Sequence, residues 1–346
     1  MIAHGLPGLT LAMAEGYLGS RARALAARRW LYRGAPPTTL PTSLPGISPT
    51  VLARLRKAAP FPPWHLRSRY ASADGTQKFV LDFDGALVET VLIPGRSRST
   101  VCLSSQAGCS RRCSFCATGS LGLFRSLSAS EIVLQYLVTR SSAAPEAPAR
   151  NVVFMGMGEP LDNLDEVLQA IVHLTEPPVP ALSQCHVTLS TSGVLPGIRR
   201  FLREGRGHLA LSLNATTDAV RERLMPHSAQ WPIGALLKVL REEAHAKRGR
   251  RYFIEYVLLD SVNDTDEDAR RLVVLLQGLP AHVNLIPHNP FPGTHLKPSS
   301  SERVARFQDI VRAAGVRCLV RKRMGDDIAA ACGQLSLQAF SGEGKT

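Results

Sequence analysis

Three cysteines lie within eight residues of this 346-residue chain, at Cys109, Cys113 and Cys116. Cysteine thiolates hold iron–sulfur clusters, and a [4Fe–4S] cluster usually has four of them. Three cysteines would bind three of the four irons and leave the fourth iron open to a ligand that is not protein. We therefore predict a [4Fe–4S] cluster with a reactive iron.

A structural zinc site is the alternative for these cysteines. Such a site takes four ligands, commonly as Cys-x2-Cys pairs, and the sequence contains no second pair. The three-then-two spacing, with Phe115 before the third cysteine, instead resembles the signature of the radical S-adenosylmethionine enzymes. The resemblance implies that S-adenosylmethionine chelates the open iron and is split by one electron to give a 5′-deoxyadenosyl radical.

A second motif, Met155-Gly-Met-Gly-Glu-Pro160, follows a predicted strand. Glycine lets the backbone come close to a ligand, and Glu159 can accept hydrogen bonds from a cationic amine. By itself the motif is equally compatible with an ordinary turn. Its position is similar to that of the stretch holding the methionyl amine in radical S-adenosylmethionine enzymes, which implies cofactor contacts at Gly158 and Glu159.

Short apolar runs alternate with amphipathic helical patterns from about residue 99 onward. The strand candidates are Thr100–Ser104, Val152–Met157, His186–Thr191, Leu209–Asn214, Phe253–Leu259 and Val283–Ile286, with Cys318–Val320 near the end. Such alternation predicts an α/β fold with parallel strands and helical crossovers. Six main units predict an open (β/α)6 barrel, with the cysteine loop after the first strand, where active residues gather. Residues 141–151 are predicted to form a surface loop.

The chain carries a net charge of +13, which points to a polyanionic partner. Residues 1–70 contain a single acid, Glu15. Their ten cations are Arg21, Arg23, Arg28, Arg29, Arg33, Arg54, Arg56, Lys57, Arg67 and Arg69. Trp30, Tyr32, Trp64 and Tyr70 lie among them and could stack on bases, but we favour core packing for these aromatics. The basic run 247–251 would extend the charged surface.

Helical patterns around residues 8–17, 20–33 and 48–58 alternate with Pro-rich joints at 35–37 and 60–63. Two β-type runs, 78–83 and 87–93, flank Asp84-Gly85, which is a strong hairpin signal. We predict a helical, basic, RNA-binding accessory domain at 1–75, a bridging β-hairpin at 76–98 and the catalytic core at 99–346.

The sequence predicts neither a membrane segment nor a signal peptide. No run of 18 uncharged apolar residues is present, and the N-terminus lacks a basic region followed by a long apolar one. Seven cysteines, an odd number with three clustered, suit a reducing compartment better than a disulfide framework. We expect a cytoplasmic monomer, without a membrane partner, that receives electrons from a reductase system.

Further blocks resemble the RlmN/Cfr family of radical RNA methyltransferases, most closely its RlmN branch. They are Val88–Val91, Cys102–Cys109, Leu189–Gly193, Asn289–Gly293 and Gly325–Leu335. The resemblance implies methylation of C2 of an adenosine in 23S ribosomal RNA, and in some members also in tRNA. One alternative is a paralogue that methylates C8 or another RNA position. A second, non-enzymatic alternative is an RNA-binding protein stabilised by zinc or an inert cluster.

The resemblance also implies roles for three residues in the chemistry. Cys332 matches the cysteine whose sulfur takes a methyl group from one S-adenosylmethionine. A radical made from a second S-adenosylmethionine then removes hydrogen from that methyl group, and the resulting carbon radical adds to adenine. Cys102 matches the thiol that forms a transient disulfide with Cys332 and releases the product. Glu89 matches the proton acceptor, with Cys102 as the alternative recipient. Cys185 and Cys318 match no motif and are predicted to be core residues.

Four further cofactor contacts are implied by the resemblance. They are Ser190, Ser212, Asn214 and Asn289, whose side chains can bond hydroxyls, carboxylates or adenine edges, although such residues also cap helices. Asn214 stands where the family usually has histidine. Ser120 replaces a basic or amide residue, and Met324 replaces an arginine. This loss of positive charge leaves the RNA target open.

Overall fold

The computed structural model describes residues 5–34, 36–246 and 251–336. Its helices are α1 (Leu11–Leu18), α2 (Arg21–Leu31), α3 (Pro49–Ala58), α4 (Ala117–Ser120), α5 (Ala129–Arg140), α6 (Leu164–Thr175), α7 (Leu195–Glu204), α8 (Asp218–Leu224), α9 (Ile233–Ala246), α10 (Asp266–Leu276) and α11 (Ser301–Ala313). Its strands are β1 (His65–Ala71), β2 (Gln77–Phe83), β3 (Ala86–Ile93), β4 (Ser99–Cys102), β5 (Gln106–Gly108), β6 (Leu123–Ser126), β7 (Ala149–Phe154), β8 (Val187–Thr191), β9 (His208–Ser212), β10 (Tyr252–Leu258), β11 (Ala281–Pro287) and β12 (Arg317–Val320).

Seven parallel strands form the open barrel that the alternating pattern predicts. One sheet has the order β1-β2-β3-β4-β7-β8-β9-β10-β11-β12, and from β4 onward all neighbouring strands are parallel. Because β1 and β12 are both edge strands, the barrel does not close. The predicted fold class is confirmed, although the loop predicted over 141–151 ends before β7 begins at Ala149. In the described part of the chain, no helix combines the length and apolarity needed to span a bilayer.

Side chains of the barrel strands alternate between two faces. Val101, Val152, Val187, Leu209 and Ile254 are fully buried and belong to the core that packs under the helices. The intervening residues form the opposite, concave face of the sheet. This face is more polar and remains available for ligands.

The hairpin signal at Asp84-Gly85 is confirmed. Both residues have positive φ, 53° and 83°, which is the backbone that a two-residue hairpin turn requires, and Phe83 pairs with Ala86 across it. Strand β3 then pairs antiparallel with β4 and joins the hairpin to the barrel sheet.

Strand β1 was not predicted. His65–Ala71 pairs antiparallel with β2, so a purely helical description of residues 1–75 is wrong for this segment. Its charged residues lie on an edge strand, where alternation with apolar residues is weak. The boundaries of the three regions stay predictions.

Helices α1 to α3 pack around a core of their own, which includes Leu18, Leu52 and Leu55. Arg28 joins this unit to the barrel. Its guanidinium donates to the Glu176 carboxylate at 2.8 Å and to the carbonyl of His173. Arg28 is only 5% exposed, so it serves this interface and is not part of a surface for RNA. The ring of His173 lies 2.7 Å from the Leu9 carbonyl oxygen, and burial holds its pKa well below the usual value.

We expect Arg28→Ala to lower the free energy of unfolding by about 2–3 kcal/mol. The substitution leaves a carboxylate and a carbonyl without their donor, and the estimate is reduced because Glu176 is partly exposed. Urea denaturation measures the change, with Arg29→Ala, an exposed residue of the same helix, as the control. Equal stability of the two variants would contradict this role.

Candidate active site

The predicted cysteine loop lies at the carboxyl end of the barrel, after β4. A short hairpin that the sequence did not predict, β5 with β6, flanks it, and the Cys109 amide donates to the Gly122 carbonyl at 2.8 Å. Cys109, Cys113 and Cys116 all line one cavity. The loop thus presents its three thiols to the same space.

Burial raises the pKa of each cysteine thiol in this loop. The pKa of Cys109 rises to about 12, and that of Cys113 rises well above its ordinary value because of burial and of the neighbouring Cys116 and Cys109. Metal binding requires thiolates, so a bound cation must offset this cost. Among the described residues no group of three ligands converges on a single ion. A cluster needs no such convergence, since each thiolate binds a different iron.

The glycine motif runs beside the segment that leads to the cysteines. The Met157 amide donates to the Ser104 hydroxyl at 2.8 Å, and the Glu159 amide donates to the Gln106 side-chain oxygen at 2.9 Å. Gly158 has φ +97°, and a Cβ placed there would lie 2.6 Å from the Gln106 Cβ. Glycine is therefore required at position 158, because a side chain there would prevent the segment after β7 from packing against the segment after β4.

Glu159 is buried and faces the same cavity. Its carboxylate accepts hydrogen bonds from the amides of Ser192, at 2.7 Å, and Leu161, at 3.1 Å. Burial raises the pKa of this carboxyl, and the bonds from Ser192 act in the opposite sense. The backbone therefore fixes the orientation of a carboxylate with further acceptor capacity for an amine.

Four residues predicted as polar contacts line the cavity at the carboxyl ends of β8, β9 and β11: Ser190, Ser212, Asn214 and Asn289. The two serine hydroxyls are 3.4 Å apart. Asn214 has φ +57°, and its side-chain oxygen accepts from the Val257 amide at 2.9 Å. Asn214 is thus also a structural residue that ties β9 to β10.

Cys332 lies in the wall of this cavity, on a loop next to the cysteine loop. Its thiol is open to solvent within the cavity, although surrounding protein raises its pKa and Arg321 opposes that effect. Its carbonyl accepts from the Asn289 side chain at 3.0 Å. The next residue, Gly333, accepts from the amide of Ala117 at 2.7 Å. These two hydrogen bonds hold the loop that carries Cys332 against the cysteine loop and against the segment that follows β11.

Cys102 and Glu89 lie on neighbouring strands of the concave face. Burial and the nearby Cys332 raise the pKa of the Cys102 thiol to about 12. The pairing of these two cysteines stays a prediction. Glu89 is fully buried and forms an ion pair with Lys78 at 2.9 Å, and Lys78 also donates to the Ala329 carbonyl at 3.3 Å. Glu89 lies diagonally across the β3–β4 pair from Cys102 and is not among the residues that line the cavity.

Three cavity residues have a buried polar atom without a hydrogen-bond partner in the described structure. The atoms are Oε2 of Glu255, Nε2 of His288 and Oδ1 of Asn289. Such atoms cost free energy unless a ligand or water satisfies them. Glu255 and His288 were missed from the sequence, because neither lies in a recognisable motif. Their presence fits a polar ligand that carries several donors and acceptors.

A buried arginine, Arg221, is a further residue that the sequence did not reveal. Its guanidinium donates to the Leu213 carbonyl at 3.1 Å and to the carbonyl of Ser192, and its positive charge acts on Cys113. Burial lowers the pKa of Arg221 to about 10. It braces the loops after β8 and β9 and places a cation near the cysteine loop.

The comparisons with known proteins agree with this site. Residues 103–273 match the model of the radical SAM superfamily. The chain is 47% identical to the dual-specificity RNA methyltransferase RlmN of Paracoccus denitrificans over 78% of this chain and 71% of the relative. It is 42% identical to RlmN of Anaeromyxobacter dehalogenans, over 98% and 92%. The chain belongs to the RlmN family of radical S-adenosylmethionine RNA methyltransferases.

A solved structure supports the same placement. A radical SAM methyltransferase from Sphaerobacter thermophilus superposes with a TM-score of 0.87 at 40% identity, covering 96% of this chain and 99% of that one. The cofactors of RlmN enzymes are a [4Fe–4S] cluster and S-adenosylmethionine. Three clustered thiols, an oriented carboxylate and unpartnered polar atoms in one cavity fit both groups.

Most of the predicted basic surface of this RlmN-family chain is confirmed as exposed. Within residues 1–70, the exposed cations are Arg21, Arg29, Arg33, Arg54, Arg56, Lys57, Arg67 and Arg69. The four aromatics pack against the core, as favoured, and Tyr32 is buried. Residues 247–250 of the second basic run lie outside the described residues. Cys318 is buried as predicted, but Cys185 is exposed, so its core assignment is wrong.

We expect Gly158→Ala to lower the free energy of unfolding by about 2–3 kcal/mol. Alanine at positive φ is strained, and its Cβ would overlap Gln106. Gly234→Ala is the matched control, because a Cβ there meets nothing within 4 Å and Gly234 lies in helix α9. Urea denaturation of the cluster-free protein compares them, and a cost no larger than that of the control would contradict the packing argument.

We expect Glu255→Gln to weaken S-adenosylmethionine binding about tenfold, the effect of one hydrogen bond to a charged group. The amide keeps the shape of the side chain but lacks the charge and one acceptor oxygen. Equilibrium dialysis with cluster-loaded protein measures the dissociation constant, and Glu302→Gln, an exposed position on α11, controls for charge. An unchanged constant would show that the free oxygen of Glu255 does not face the cofactor.

Proposed function

We propose that the chain methylates C2 of an adenine in 23S ribosomal RNA and in tRNA, through a methyl group carried on the sulfur of Cys332. The observation that carries this proposal is the position of Cys332 in the same cavity as the three cluster cysteines, beside Cys102. An aromatic carbon of adenine is not nucleophilic, so ordinary methyl transfer to it fails. A protein-bound carbon that can react as a radical solves that problem.

Several residues would hold the cofactors. Cys109, Cys113 and Cys116 would bind the cluster, while Gly158 and Glu159 would contact the methionyl end of S-adenosylmethionine. The remaining contacts would come from Ser190, Ser212, Asn214 and Asn289. Bound together, the two cofactors supply a methyl group and one-electron abstraction of hydrogen.

The roles of the chain's own residues follow from their positions. The sulfur of Cys332 accepts the methyl group and gives up its proton. After loss of one hydrogen atom, the S-bound carbon forms a bond to C2 of adenine. Glu89, or Cys102 as its thiolate, takes the C2 proton, and one electron would pass back to the oxidised cluster. Attack of the Cys102 thiolate on the Cys332 sulfur breaks the bond from that sulfur to the transferred carbon and leaves a disulfide, and the released carbon takes up one proton to become the methyl group. A reductant must return that disulfide to two thiols before the next turnover.

The choice of C2 over C8 rests on the closer match to RlmN relatives, which are named as dual-specificity enzymes. The exposed cations of the N-terminal region support an RNA-binding role for the proposed accessory domain at 1–75, which residues 76–98 would join to the core. A reductase system as electron donor, a monomeric state and a cytoplasmic location complete the proposal. The replacements at Ser120 and Met324 would reduce phosphate contacts without touching the catalytic residues.

The test is anaerobic methylation of protein-free ribosomal RNA and of tRNA by the cluster-loaded enzyme. We expect nucleoside mass spectrometry to detect 2-methyladenosine in both RNAs, and none with Cys332→Ala. Cys102→Ala should instead accumulate a covalent protein–RNA adduct, because the step that breaks it is lost. Cys318→Ala, which removes a buried cysteine far from the motif, is the matched control and should retain methylation.

The other outcomes separate the alternatives. Formation of 8-methyladenosine would replace C2 with C8 as the target. Formation of 5′-deoxyadenosine without a methylated nucleoside would show intact radical chemistry and the wrong RNA. If neither product forms in protein with a verified cluster, the enzymatic proposal fails.

A further inference from the structure

Basic residues mark the amino-terminal ends of all seven parallel strands, opposite the cavity. We call this set the basic rim: Arg98 before β4, Arg150 in β7, His186 before β8, His208 in β9, Arg251 before β10, His282 in β11 and Arg317 in β12. The amino-terminal end of a parallel barrel normally serves stability and not ligand binding. A basic residue type on every strand is therefore unexpected.

Strand register places members of the rim on the concave face. His208 lies four residues before Ser212, a cavity residue, and therefore points to the same side. His282 pairs with both Phe253 and Arg317, and it lies two residues before Asn284, which contacts Glu255 of the cavity. These side chains thus continue, at the opposite end, the face that carries the active site.

Contacts between rim residues make the surface continuous. A guanidinium nitrogen of Arg98 lies 2.6 Å from Nε2 of His186. The ring of Phe253 lies between two histidines, with its centroid 5.5 Å from that of His208 and 6.0 Å from that of His282. These contacts join Arg98 to His186 and His208 to His282, and the other members of the basic rim lie on or next to neighbouring strands of the same sheet.

The positive charge of the rim is not neutralised within the described residues. Arg98, Arg150, Arg251 and Arg317 form no ion pair with a described carboxylate, whereas many other arginines do. Burial, followed by nearby arginines, lowers the pKa of His186 and of His282. Only cations act electrostatically on these two histidines, so the rim lacks an anionic partner.

We propose that the basic rim binds the phosphodiester backbone of the substrate RNA, in a segment separate from the one that presents the adenine. The four arginines are exposed, and guanidinium groups suit phosphate oxygens. A strand of seven residues spans about 23 Å, so the rim is too far from the cavity to touch reacting atoms. The proposal rests on the proposed function only in taking RNA as the substrate.

The test compares two double variants that each lose two positive charges. Arg98→Gln/Arg317→Gln removes charge from the rim, and Arg199→Gln/Arg270→Gln removes it from the outer helices, where both arginines form weak exposed pairs. Filter binding of the full-length, cluster-loaded protein to tRNA and to protein-free ribosomal RNA is measured over a range of salt concentrations.

We expect the rim variant to bind about tenfold more weakly and its salt dependence, as a log–log slope, to fall by about 1.5, since each lost phosphate contact reduces it by roughly 0.7–0.9. The control should stay within about twofold of the unmodified protein. In turnover the rim variant should show a raised KM with unchanged kcat on long RNA. A short stem-loop that carries only the target adenine should show no difference.

Equal RNA binding by the two double variants would overturn the proposal. So would a loss of inorganic phosphate binding, measured by calorimetry, with unchanged RNA affinity, because the rim would then hold a small anion. The binding measurements do not depend on methylation. A chain that makes no 2-methyladenosine but shows the expected binding difference would refute the proposed reaction and leave the rim supported.

Discussion

The candidate active site depends on one hydrogen-bonded contact, in which the segment after β4 and the segment after β7 run side by side. Amides of residues 156–159 donate to Leu103, Ser104 and Gln106, and the amide of Ser105 donates back to Met157. The first segment leads into the cysteine loop, and the second carries Glu159. Because these bonds join main-chain amides to both main-chain and side-chain oxygens of the neighbouring segment, they fix the position of the Glu159 carboxylate relative to the cysteine loop.

Alternation along the barrel strands lets one sheet serve both stability and function. The residues that point outward are apolar and buried by the helices, whereas their neighbours in sequence form a concave face with cations at one end and thiols and carboxylates at the other. Any insertion of one residue in a strand would exchange the two faces. The strand register that buries the apolar side chains in the core therefore also keeps the polar side chains on the concave face.

Sequence periodicity was sufficient to predict the barrel, because buried parallel strands separated by helices give strong local signals. The family resemblance, and not periodicity, predicted that Cys332 shares a site with Cys109 and Glu159, and all three line one cavity. Strand β1 was missed because an edge strand rich in arginine lacks alternation. Glu255 and His288 were missed because their importance comes from burial beside a cavity, which depends on long-range packing. Cys185 is predicted to be a core residue because free cysteines are usually buried, but it lies on the surface.

The two cysteines proposed to react, Cys102 and Cys332, present a control problem, since nearby thiols could form a disulfide before RNA arrives. Burial raises the pKa of the Cys102 thiol to about 12, and a neutral thiol is a poor nucleophile. Cys102 is thus inert until a base removes its proton. Glu89 lies diagonally across the β3–β4 pair from Cys102, two residues from its partner Val91, a geometry in which side chains lie about 7–8 Å apart. A carboxylate at that separation reaches the thiol only after a local shift or through a bridging molecule, which would couple release of the product to binding of the substrate.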